Sequence, residues 1–227
     1  MFPDVPPHGG QPVVETGVAL GQAPAVVIMV HGRNAGPANI LDLAARFERP
    51  KLTYLAPAAS GGTWYPFSFM ADIASNEPGI SSGIAVLSAL VRRIEHSGIP
   101  TQRIVLAGFS QGACLTSEFA IRHPARYGGV LVFTGGAIGP PGTTWDPPSP
   151  AGHGAPGRGG HSFDGTPVFI GCGDRDAHVP EDRARETANV FSRLGADVTL
   201  RIYPGMGHVV NDDEIVFAQG VLDAVSS

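Results

Sequence analysis

The chain reads as an α/β protein with a mostly parallel central sheet and helices on both faces, and three observations predict it. Apolar runs of strand length alternate with longer segments of helical period along the 227 residues, the pattern left by strand–helix–strand crossovers. The run Ala25–His31 is apolar almost throughout, as in strands covered on both faces. In Gly79–His96 the residues Ile80, Ile84, Leu87, Val91 and Ile94 hold one apolar stripe at spacings of three and four, which is the buried face of a helix.

Taken in order, Val13–Leu20 reads as an edge strand and Ala25–His31 as a central one, followed by a helical pattern over Ala38–Phe47. Leu52–Ala56 is the next strand, and the long helix Gly79–His96 leads to the strand Arg103–Ala107. A helix over Gly112–His123 and a strand over Gly129–Thr134 come next. Gly139–Gly165 then holds eight Gly and six Pro in 27 residues and shows neither period. It is a long loop, either a tolerated surface insertion or a flap over a site, with Trp145 and Phe163 as its large apolar anchors. The strand Pro167–Cys172, a helix begun at Pro180 and running to Leu194, the strand Val198–Tyr203 and the helix Asp212–Val225 complete the pattern. A chain of this length fills one core, so a single domain over residues 1–227 is expected.

Composition narrows the partners. The formal net charge is −5 and the 15 Lys and Arg form no basic run, so nothing recruits a nucleic-acid backbone or an anionic membrane surface. The N-terminus lacks a positive start and an apolar core, and the longest apolar run is far too short to span a bilayer. A cytoplasmic protein without stable membrane insertion is expected. Cys114 and Cys172 are expected as free buried thiols without metal-ligand spacing, and no metal or other cofactor is called for.

Chemistry enters at Gly108-Phe-Ser-Gln-Gly112, where an apolar strand runs straight into Gly-x-Ser-x-Gly and then into a helix. That context is the one a nucleophile elbow needs, with flanking glycines removing the Cβ atoms that would collide with neighbouring backbone. Ser110 is the candidate nucleophile. A serine hydroxyl needs an imidazole to take its proton and a carboxylate to orient that imidazole, and on such a sheet the chain order is Ser, acid, His. Asp176 follows the strand Pro167–Cys172 and is the candidate acid, with Asp174 two residues before it as the alternative or as a turn residue. His208 follows the strand Val198–Tyr203 and is the candidate base. His178 lies too soon after Asp176 to act as base easily. His153 and His161 sit in the Gly/Pro-rich loop, and His31 suits a partly buried histidine bonding nearby backbone.

An oxyanion needs preorganised donors, here the backbone N–H of Gln111, next after the nucleophile, and that of Arg33 in the loop His31–Gly36. The segment Gly61–Met70 carries four aromatics and a methionine. Of these, Trp64 and Tyr65 are expected to line a substrate pocket, together with Gly32 in the early loop.

Taken together, these motifs resemble the phospholipase/carboxylesterase branch of the α/β-hydrolases, which includes acyl-protein thioesterases and small bacterial carboxylesterases. The likeness runs from the His31-Gly32 loop through Trp64-Tyr65, Gly108–Gly112, Gly135-Gly136 and Gly173-Asp-Arg-Asp176 to Gly207-His208. It implies the α/β-hydrolase fold, selects Asp176 over Asp174 through a Gly-x-x-Asp-x-x-Val-Pro pattern, and implies esterase action on short- to medium-chain carboxylic esters. Acyl thioesterase or lysophospholipase activity is the alternative, and a catalytically silent scaffold binding a small ligand is the reading from another class. The family often reads His-Gly-Leu-Gly-Asp where this chain has His31-Gly-Arg-Asn-Ala-Gly36, a departure that bears on substrate rather than mechanism. A homodimer through an apolar lip around Trp64–Met70 would also fit.

Overall fold

The computed structural model describes residues 5–145 and 162–227. Within them the sheet has seven strands: β1 (Val13–Gly17), β2 (Val26–Val30), β3 (Thr53–Pro57), β4 (Ile104–Phe109), β5 (Gly129–Phe133), β6 (Pro167–Gly173) and β7 (Asp197–Tyr203). They lie in the order β1-β3-β2-β4-β5-β6-β7. Of these strands only β1 runs antiparallel, along β3. The crossovers that leave β2, β3, β4 and β6 run through α1 (Pro37–Ala45), α2 (Gly79–His96), α3 (Gln111–Arg122) and α4 (Glu181–Arg193), and α5 (Asp212–Ser226) follows β7. The predicted alternation is therefore the observed one.

The expected first strand, Val13–Leu20, stops at Gly17, where a φ of +82° turns the chain away from the sheet. Position 17 must be glycine, because a Cβ there would stand 2.0 Å from the Leu52 carbonyl oxygen.

Alternation of side chains across the pleat sorts the core into two layers. Val26, Ile28, Leu106, Val132 and Ile170 face α2, α3 and α4, whereas Val27, Met29, Ala107, Leu131 and Phe169 face α1 and α5. β2 is buried at every residue, which explains its unbroken apolar run. In α3 every residue from Gln111 to Ile121 is buried, because this helix lies between the sheet and α2 and α4. Among the described residues no helix is long and apolar enough to cross a membrane.

Both described ends of the Gly/Pro-rich segment are anchored. Trp145 donates from Nε1 to the Ile138 carbonyl at 3.0 Å, and Phe163 is fully buried against Phe191, ring centroids 5.2 Å apart. The flap or insertion expected between them, with His153 and His161, lies outside the described residues.

Candidate active site

The parallel strands all end at one edge of the sheet, and loops gather there. Ser110 stands between β4 and α3 at φ +56°, ψ −122°, a backbone state that a non-glycine residue adopts only when its surroundings impose it. They do so through two bonds: the Ser110 N–H donates to the Phe133 carbonyl at 3.0 Å, and the Cys114 N–H donates to the Ser110 carbonyl at 3.0 Å. The flanking glycines allow the close approach. A Cβ on Gly112 would lie 2.1 Å from the Val30 oxygen, and one on Gly108 would lie 2.5 Å from the Gly112 oxygen.

His208 comes from the loop between β7 and α5, and its ring stands 2.7 Å from Ser110, Nε2 to Oγ. Its Nδ1 stands 2.7 Å from Asp176 Oδ2. An ionised carboxylate only accepts, so Nδ1 carries the imidazole proton and Nε2 presents its lone pair to the serine hydroxyl. The Asp176 side chain is fully buried, and its other oxygen accepts the backbone N–H groups of His178 at 2.8 Å and Val179 at 3.0 Å. Asp174 is exposed and turns elsewhere, accepting the Gly205 N–H at 2.6 Å. It thereby holds the turn that carries the chain toward His208, which is the turn role and not that of the acid.

Gln111 opens α3, so its N–H has no acceptor within the helix. The Gln111 side chain points elsewhere and ties down the neighbouring loop, where Oε1 accepts the Trp64 N–H at 2.9 Å and Nε2 donates to the Tyr65 carbonyl at 2.8 Å. Gly32 lies against the nucleophile, with room for a Cβ only 3.4 Å from the Ser110 Cβ. The Arg33 guanidinium reaches across to donate to the Pro66 carbonyl at 2.7 Å and the Phe67 carbonyl at 2.5 Å. It also lies over the Tyr65 ring at 5.9 Å.

These residues open onto a cavity of about 950 Å³ lined by Gly32, Arg33, Tyr65, Phe67, Phe69, Phe109, Ser110, Gln111, His178 and His208, among others. Trp64 corrects the sequence expectation, because it does not line the cavity. It is fully buried, donates from Nε1 to the His31 carbonyl at 2.9 Å, and packs its ring 5.1 Å from that of His31. An indole with its N–H satisfied inside the core plugs the loop instead of facing substrate. Tyr65 does line the cavity, and burial holds its hydroxyl well above the usual phenol range.

Phe67 and Phe69, of the aromatic segment Gly61–Met70, line the cavity with Tyr65, whereas sequence reasoning passed over Phe109 and Cys114, and over Asn39, Asp42 and Leu43 of α1 and Arg46 at its C-cap. The last four stand at spacings of three, four and seven, but only the fold decides that the helix face they share turns to the cavity. His178 is exposed, and its ring meets that of His208 edge-on at 4.7 Å. His31 is buried and structural: its Nε2 accepts the Ala59 N–H at 3.0 Å, so Nδ1 donates to the Gly32 carbonyl at 2.8 Å. Both cysteines are free and buried, and burial pushes the Cys114 thiol up to about 11 and the Cys172 thiol up to about 12. Among the described residues no group of His, Cys, Asp or Glu forms a metal-holding cluster.

Known proteins share this fold and part of this sequence. A crystal structure of a phospholipase/carboxylesterase from Dyadobacter fermentans DSM 18053 is 35% identical, covers 96% of this chain and 99% of its own, and superposes with a TM-score of 0.83. The carboxylesterase of Bacillus cereus shares the fold, with a TM-score of 0.70 at 16% identity over 95% of each chain. Acyl-protein thioesterase 1 of Eremothecium gossypii is 34% identical over 152 residues, which are 64% of this chain and 59% of that protein. The same-named protein of Debaryomyces hansenii is 27% identical over 65% of this chain and also 59% of its own length. The chain thus spans less than two thirds of either thioesterase. The profile of the Phospholipase/Carboxylesterase family matches residues 13–226, and the chain belongs to that family of α/β-hydrolases.

Proposed function

We propose that the protein is a serine carboxylesterase that hydrolyses short- to medium-chain carboxylic esters through an acyl-enzyme on Ser110. The observation that carries this reading is the unbroken relay Ser110 Oγ to His208 Nε2 to His208 Nδ1 to Asp176, with both links at 2.7 Å. As Ser110 attacks the ester carbonyl, its proton passes to His208 Nε2, and the buried Asp176 carboxylate stabilises the imidazolium. The negative charge on the carbonyl oxygen is met by the Gln111 and Arg33 amides. His208 then protonates the departing alcohol, and water repeats the sequence on the acyl-enzyme. The apolar wall of Tyr65, Pro66, Phe67 and Phe69 supports an acyl chain of several carbons.

An acyl thioesterase is the second reading, supported by the name of the relative from Eremothecium gossypii, since a thioester carbonyl needs the same nucleophile and oxyanion donors. A silent scaffold is disfavoured, because a hydrogen-bonded relay with a strained serine serves no evident purpose in simple binding.

The test is turnover of p-nitrophenyl acetate, butyrate, octanoate and palmitate by wild type and Ser110→Ala, with a fluorophosphonate label in parallel. Wild type is expected to turn over and label, and the variant to lose on the order of 10³-fold or more in turnover together with all labelling. A wild type inert to ester and label alike would sink the esterase reading. A butyryl thioester cleaved faster than the matching oxygen ester would favour the second.

A further inference from the structure

The cavity has two chemically different walls, and Ser110 lies between them. One wall, Tyr65, Pro66, Phe67 and Phe69 with Cys114, is largely apolar. The other comes from the opposite face of the sheet, where α1 presents Asn39, Ile40, Asp42 and Leu43 to the cavity and its C-cap residue Arg46 adds to them. Asn39, Asp42, Leu43 and Arg46 fall at i, i+3, i+4 and i+7 and therefore share one helix face; three of the five lining residues are polar, and the buried Ile40 lies beneath them.

The proposed reaction assigns the two walls different substrate halves. In acyl transfer the Ser110 Oγ–carbon bond forms, the carbon–oxygen bond to the alcohol breaks, and the serine proton reaches the alcohol oxygen through His208 Nε2. The alcohol must therefore leave along the side that His208 occupies. Val209 and Val210 follow His208 and line the cavity there. Arg46 ties α1 to that same segment, donating to the Val210 carbonyl at 3.3 Å and pairing with Asp212 at 2.8 Å. The polar stripe of α1 is thus continuous with the His208 segment.

We infer that this stripe is a leaving-group subsite for hydroxyl-rich alcohols, a reading that rests on the esterase function proposed above. A hydroxyl both donates and accepts, and the stripe offers both complements. The Asp42 carboxylate accepts and has no hydrogen-bond or ion-pair partner among the described residues. Asn39 uses its carbonyl oxygen on the Gly36 N–H, which leaves its amide N–H groups as donors beside the remaining N–H groups of Arg46. A plain alkyl alcohol laid against these groups would take them from water without replacing its hydrogen bonds. Asp42 and Arg46 carry opposite charges, so the stripe matches a neutral polyol.

The test compares 1-monobutyrin with propyl butyrate, whose alcohols differ by two hydroxyls, alongside p-nitrophenyl butyrate. All three deliver the same butyryl-enzyme, so differences in kcat/KM arise before the alcohol departs. Wild type is expected to favour monobutyrin over propyl butyrate about tenfold or more, the discrimination that one or two net hydrogen bonds at a solvent-facing site supply. Asp42→Leu is expected to lower the monobutyrin-to-propyl-butyrate ratio about tenfold, and Asp42→Asn, which keeps an acceptor oxygen, to lower it less. A wild type that prefers propyl butyrate, or a ratio that neither variant moves, overturns the subsite. If p-nitrophenyl butyrate is cleaved without any preference between the other two esters, the subsite alone fails. A wild type inert to all three overturns the esterase reading and the subsite with it.

Discussion

At the scale of single residues, chemistry is decided by where hydrogen bonds end. Asp174 and Asp176 are two residues apart and chemically alike, yet one carboxylate caps a turn at Gly205 and the other is buried against His208. Arg33 shows the same division within one residue. Its backbone amide belongs to the proposed oxyanion site, while its guanidinium straps the carbonyls of Pro66 and Phe67. That strap fixes the apolar wall, so Arg33→Met, which keeps the amide and the apolar stem, should loosen the wall. The expected result is a KM for p-nitrophenyl octanoate that rises by roughly threefold to tenfold, with a smaller rise for acetate, which is too short to lie along the wall. An equal rise for both chain lengths would contradict a role for the strap in acyl selection.

At the scale of elements, the loop carrying His208 is held from behind by the start of α5. The Asn211 side chain accepts the Glu214 N–H at 3.0 Å, and Glu214 Oε2 accepts the Asn211 N–H at 2.8 Å. This capping box satisfies two helix-end donors at once. Its cost is a buried carboxylate, since Oε1 has no hydrogen-bond partner among the described residues and faces Gly171. Burial pushes the Glu214 carboxyl up to about 7 from an ordinary 4.5. A carboxyl whose folded value is raised contributes stability below its unfolded value, and that contribution is lost as pH rises toward the folded one. Glu214→Gln should therefore gain on wild type in thermal midpoint between pH 5 and pH 8. A midpoint difference that stays constant across that range would mean that Glu214 is not the titrating group.

At the scale of the whole molecule, two histidines held inside the fold set the acid limit. His8 and His31 are each lowered below the ordinary 6.5, with burial as the largest cause. His8 pins the N-terminal segment to the active-site loops: its Nδ1 accepts the Ser60 N–H at 3.1 Å, so Nε2 donates to the Trp64 carbonyl at 2.8 Å. Histidines held neutral in the fold contribute stability above their unfolded value, and that contribution is lost as pH falls below it. In the Glu214→Gln background, free of the opposing carboxyl, the thermal midpoint should drop by about 4 °C or more from pH 7.5 to pH 5.5. A flat profile would show that these rings do not titrate on unfolding. Nothing in Pro6-Pro-His-Gly-Gly10 announced such a role, because a histidine's burial depends on which distant loop meets it. The alternation of strands and helices, the elbow at Ser110 and the order of Ser110, Asp176 and His208 were legible, because periodicity, glycine placement and chain order are local properties of sequence. Tertiary structure alone decided that Trp64 is a core plug, that Arg33 and Gln111 lend their side chains to the wall, and that α1 turns a polar stripe to the cavity. Each of these depends on contacts between segments tens of residues apart, and such contacts leave no periodic trace in the chain.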